Sequence, residues 1–118
     1  CVPISRLAEC MLDTKADCEA QHMVYSIIGH VGDGNFHVLM LIDPNDPADI
    51  AKAEQINARM VTRALEMDGT CTGEHGVGMH KMDFLIQEHG AEGIALMRTL
   101  KHAFDPSNLL NPGKIISW

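Results

Sequence analysis

A chain of 118 residues, 46% apolar and 21% charged, is long enough for one domain with a hydrophobic core and too apolar for disorder. A net charge of -7, with 9 basic residues against 16 acidic ones, argues against general nucleic-acid binding, which needs Lys and Arg to displace phosphate counterions. No stretch reaches the roughly 18 apolar residues of a membrane span, and no basic segment followed by an apolar one marks a signal peptide.

The chain opens Cys1-Val2-Pro3 without an initiator methionine, which points to a piece of something longer. Ser5 is placed to cap a helix running to about Glu19, with Leu7, Cys10, Met11 and Cys18 on one face. Val24 to Ile28 is β-branched and aromatic and reads as a strand. Phe36 to Ile42 reads as a second strand, apolar almost throughout and therefore expected to be buried.

Asp46 then suits an N-cap, Pro47 the first helical position and Asp49 the first turn. Ala53, Ile56, Met60, Ala64 and Met67 draw one buried stripe along this helix, and Gly69 is expected to stop it. Thr70 to Thr72 reads as a short extended piece. Two helices follow, Lys81–His89 ending at Gly90 and Ala91–Phe104 ending before Asp105-Pro106, and then a turn-rich tail from Asn108 to Lys114. Strands and helices in this mixed order predict an α+β fold, an antiparallel sheet with flanking helices, as a single domain over residues 1–118. Cys1, Cys10, Cys18 and Cys71 form no Cys-x-x-Cys pair and are expected to be reduced thiols, as in a cytosolic-type compartment.

Chemistry concentrates in two glycine-rich breaks. The first runs Gly29-His30-Val31-Gly32-Asp33-Gly34-Asn35-Phe36-His37, the second Gly73-Glu74-His75-Gly76-Val77-Gly78. A strand–turn–strand path brings His30 and His37 towards one spot, and Glu74, after a third extended segment, is placed to close the set. Two imidazoles and one carboxylate are a common divalent-metal set that leaves positions open for substrate. The competing reading is a group of solvated histidines, the reading given to His22, His80, His89 and His102. Gly32-Asp33-Gly34 begins like a dinucleotide fingerprint, but His37 stands where its third glycine belongs, and no phosphate-cradling loop or nucleophile elbow appears.

These two motifs, with Leu110-Asn111-Pro112-Gly113-Lys114, resemble the C-terminal region of FAD-linked oxidases of the vanillyl-alcohol oxidase superfamily. The likeness is to the D-lactate dehydrogenase and glycolate oxidase flavin-subunit type, and runs from Val2 to Ile115. It implies a split active site, in which a separate N-terminal domain holds FAD and this part supplies the substrate site. His30, His37 and Glu74 would then hold zinc or manganese, His75 would act as general base, and Asn111 would approach the flavin. The substrate would be a small 2-hydroxy acid, oxidised to the 2-oxo acid, with an electron acceptor that the resemblance leaves unspecified. Relatives acting on dicarboxylic hydroxy acids tend to carry Asn two residues after the second histidine. Leu39 stands there in this chain and favours a monocarboxylate such as D-lactate or glycolate. The bacterial cytoplasm is the expected compartment, with the mitochondrial matrix as the alternative. The piece alone is expected to be inactive. Two rivals stay open at this point: a freestanding metal-binding or interaction domain without flavin chemistry, and a metal hydrolase.

Overall fold

The computed structural model describes all of residues 1–118. The chain forms two compact units, Cys1–Gly73 and Glu74–Trp118.

The first unit is an antiparallel hairpin packed on two helices, α1 (Ile4–Ala20) and α2 (Pro47–Glu66). Pro3, not Ser5, is the N-cap of α1, and no side chain caps that end. Ser5 lies inside the first turn, because proline's fixed φ starts the helix before the hydroxyl can act. Leu7, Cys10 and Cys18 are buried as the pattern predicts, and Thr14 joins them by donating to the Cys10 carbonyl at 2.7 Å. The Asp46 carboxylate accepts from the Ala48 N–H at 2.9 Å, as its N-cap position demands. At the far end Asp68, with φ 60°, takes the left-handed position expected of Gly69.

Strand β1 (Val24–His30) pairs with β2 (Asn35–Leu41), with Ile28 opposite His37 and His30 opposite Asn35. A single 3-10 turn, Val31–Asp33, joins them, closed by Gly34 at φ 69°. Phe36 and the partly buried Tyr25, Ile27, Val38 and Met40 pack against the helices. Strand alternation sends the other set outwards, so Leu39 and Leu41 are 57% and 72% exposed. The expectation that the whole of β2 is buried is therefore wrong, because only one sheet face meets a helix in this unit. Thr70 to Thr72 forms no strand; it is a bend that accepts order from Cys1, whose carbonyl receives the Thr70 N–H at 2.9 Å. The helices are tied by Arg59, whose Nε and Nη2 donate to both oxygens of Asp17 at 2.7–3.1 Å.

The second unit is α3 (Met82–Phe104) and the tail. Gly90, at φ 71° and ψ 171°, breaks the helix where the sequence predicts one helix to end and the next to begin. The tail is pinned: Ile115 N–H donates to the Gly78 carbonyl at 2.8 Å, and Arg98 grips Ser117 through Nε and Nη2. His102 packs its ring 3.9 Å from that of Trp118. Lys101 holds the carboxyl of Asp105 below the usual carboxylate range, against the opposing effect of burial. All four cysteines are thiols, and no helix is long and apolar enough to cross a membrane.

Candidate metal centre

His30 ends β1 and His37 is the third residue of β2, and the register gives both the same parity. They therefore project from the outer sheet face, the one turned away from α1 and α2. Their rings stand edge to face, with centroids 6.2 Å apart. The turn between them is held tightly: Val2 N–H donates to the Gly34 carbonyl at 2.9 Å, and a Cβ on Gly34 would lie 2.0 Å from the Val2 carbonyl oxygen. Only glycine fits there.

Asn35 shares the outer face but is 6% exposed, because the chain at Gly73 lies over it. A Cβ on Gly73 would stand 2.1 Å from Asn35 Oδ1. That close approach sets Gly73 beside the His30–Asn35 row, and the peptide bond carries Glu74 with it. One ligand atom from each of His30, His37 and Glu74 lies within 4.8 Å of the others.

The donor set fits a divalent ion in kind. Tetrahedral zinc with bonds of about 2.0–2.1 Å sets its ligand atoms about 3.3 Å apart. The three groups, now within 4.8 Å of one another, would close by roughly 1.5 Å on an ion, a movement that side-chain rotation can supply. His30 and Glu74 are exposed and His37 is half-buried, which leaves the face open to a small ligand. His75 is the next residue, its Nε2 3.5 Å from Glu74 Oε1 and its side chain 77% exposed. Asn111 is exposed and adopts a left-handed φ of 49°. Its carboxamide offers both a donor and an acceptor, which suits the polar edge of an isoalloxazine but grips no other part of FAD. Of the histidines read as solvated, His22, His80 and His89 are exposed and lie outside the group of His30, His37 and Glu74, while His102 has the Trp118 contact described above.

Sequence reasoning gave no role to Asn35, Lys101 or Asp105. A polar residue wedged between two glycine-rich motifs, and an Asp-Pro followed by two leucines, were the available signals.

The family described as FAD linked oxidases, C-terminal domain, matches residues 1–115. The chain belongs to this family. It is 49% identical over 98% of its length to a protein named probable D-lactate dehydrogenase, mitochondrial, from Danio rerio, of which it covers 23%. It is 46% identical over 98% of its length to D-lactate dehydrogenase (cytochrome), mitochondrial, from Arabidopsis thaliana, covering 20% of that protein. Glycolate oxidase subunit GlcD of Bacillus subtilis is 40% identical over 98% of the chain, which covers 25% of it. The chain thus spans a quarter or less of the length of these relatives. The α+β expectation and the family resemblance both hold.

Proposed function

We propose that this chain is the metal- and substrate-binding part of a flavin-dependent D-2-hydroxyacid dehydrogenase that oxidises a small monocarboxylic 2-hydroxy acid, D-lactate or glycolate, to the 2-oxo acid. The observation that carries the reading is the grouping of His30, His37 and Glu74, whose ligand atoms lie within 4.8 Å of one another. Residues 1–118 act as one C-terminal piece, and the FAD-binding domain belongs to the rest of the protein, as the greater length of the relatives supports. A divalent ion, zinc or manganese, would supply Lewis acidity at the substrate hydroxyl, and FAD would accept hydride.

The chain's own residues do the rest. His30, His37 and Glu74 would hold the ion on an open face accessible to a small substrate. His75, adjacent to Glu74, takes the hydroxyl proton on an imidazole nitrogen. Ile28 lies directly opposite His37, and Leu39 follows it two residues on with the same parity. The substrate's tail therefore meets apolar side chains, which suits a methyl group or hydrogen better than a second carboxylate. Asn111 would contact the flavin edge. Reoxidation of the flavin would fall to an electron acceptor, and a compartment that keeps thiols reduced, bacterial cytoplasm or mitochondrial matrix, suits the four cysteines.

Metal analysis of the full-length protein tests this directly. His30→Ala, His37→Ala and Glu74→Gln should each lose the metal and turnover with D-lactate while FAD stays bound. Full metal content in all three variants would overturn the ligand assignment.

A further inference from the structure

The mechanism above makes no use of Asp105, yet its carboxylate is held at 6% exposure, where an ionised group is rarely found. Every part of it is occupied. Oδ1 accepts from the Leu109 N–H at 2.9 Å, and Oδ2 accepts from the Leu110 N–H at 2.9 Å and from Lys101 Nζ at 2.5 Å. The same ammonium donates to the Leu110 carbonyl at 2.6 Å. One ion pair thus fixes three backbone atoms in two consecutive residues.

What it leaves outside is as informative. Leu109 and Leu110 are 77% and 66% exposed, so the charged pair is inside and two leucines are out, the reverse of what burial favours. Folding of the unit has other fastenings, since Ile115–Gly78 and Arg98–Ser117 already hold the tail. The residue after the clamped pair is Asn111, at φ 49°. Pro112 follows it and has no N–H, so no backbone donor there can pin the turn from the downstream side. Downstream, Lys114 Nζ donates to the Pro112 carbonyl at 3.0 Å, while the backbone N–H groups leading into Asn111 are held by Asp105.

We propose that Asp105, clamped by Lys101, is a positioning residue for Asn111: it fixes the backbone of Leu109 and Leu110 so that the Asn111 carboxamide meets the flavin edge in one orientation. This rests on the reading of Asn111 as a flavin contact. Asp105 itself touches neither flavin nor substrate.

The test uses the full-length flavoprotein and three variants, Asp105→Asn, Asn111→Ala and the double variant Lys101→Met/Asp105→Asn, which leaves no buried charge unpaired should the single one fail to fold. Amide hydrogen exchange and the visible spectrum of the bound flavin are read on each. Asp105→Asn should speed exchange at Leu109 and Leu110 at least about tenfold, with the amide of Ile94 inside α3 unchanged. It should also displace the flavin bands in the same direction as Asn111→Ala. If Asn111→Ala moves the bands and the Asp105 variants do not, despite faster exchange, the positioning role is overturned and the flavin contact stands. If Asn111→Ala leaves the bands in place, the reading of Asn111 fails and the proposal fails with it.

Discussion

His75 Nε2 lies 3.5 Å from Glu74 Oε1, so two consecutive side chains turn to the same side of the chain. In an extended segment they would point to opposite sides. Here the backbone from Gly73 to His75 is a bend, which removes that alternation. The proposed ligand Glu74 and the proposed base His75 can therefore serve one substrate from adjacent positions. The division of labour between them is testable. His75→Ala should lower kcat by at least about 100-fold while metal and FAD remain bound, since a placed base contributes about 10²–10⁴-fold. The ascending limb of the pH–rate profile should disappear with it. Loss of metal in this variant would make His75 a ligand, and near-normal kcat would remove it from the mechanism.

Gly73→Ala probes how Glu74 is held. The new Cβ would start 2.1 Å from Asn35 Oδ1, and Asn35 is too buried to swing away. The backbone at Gly73 must shift, and Glu74 moves with it. Metal affinity should fall about 10–100-fold, the usual cost of disturbing a ligand's support. Titration with a competing chelator measures it, and unchanged affinity would show that Glu74 is placed by something other than this contact.

Leu39→Asn addresses the substrate. A carboxamide beside His37 gives a second carboxylate a hydrogen-bond donor where the chain now offers only hydrocarbon. Hydrogen bonds to charged groups contribute about 1.5–3 kcal/mol, so kcat/KM for D-2-hydroxyglutarate should rise about tenfold or more relative to D-lactate. The change should lie mainly in KM. Unaltered preference would place the specificity surface elsewhere.

Asp17 ties α1 to α2, and its pH dependence has a definite sign. Hydrogen bonding from Arg59 holds its carboxyl below the ordinary value, burial opposes, and the charges of Arg59 and Arg63 add to the lowering. A depressed folded value means the stabilisation is present above the unfolded value, about 3.9, and is lost as the pH falls through the folded one. Asp17→Asn should cost about 1 kcal/mol at neutral pH, a modest figure because the Arg59 side chain is 43% exposed and screened by water. Its thermal midpoint should then fall less steeply than that of the parent protein below about pH 4. Parallel acid limbs in the two proteins would rule the linkage out.

The local signals that were read correctly are those whose physics is local. Asp46-Pro47 starts α2 because a carboxylate and a fixed φ act within one turn. Gly90 breaks α3 because it takes a conformation that side chains disfavour. The stripe Ala53, Ile56 and Ala64 is buried because helical period alone puts those residues on one side. The residue types of the candidate set were legible in two glycine-rich motifs, and the proposed role of each comes from family likeness.

Distance along the chain hid the rest. Thr14 is buried because Arg63, 49 residues away, meets its hydroxyl at 2.9 Å, and no periodicity announces such a partner. Ser5 has a capping side chain but lies inside α1, because the helix starts from Pro3. From Val38 to Leu41 every residue of β2 is apolar, and composition cannot say which face a helix will cover. By itself the sequence determined the elements, their order and the kinds of ligand available. Tertiary structure decided that His30 and His37 share the uncovered face and that Gly73 lies on Asn35. Those outcomes depend on strand register and on close backbone approach, which exist only once separate segments have packed together.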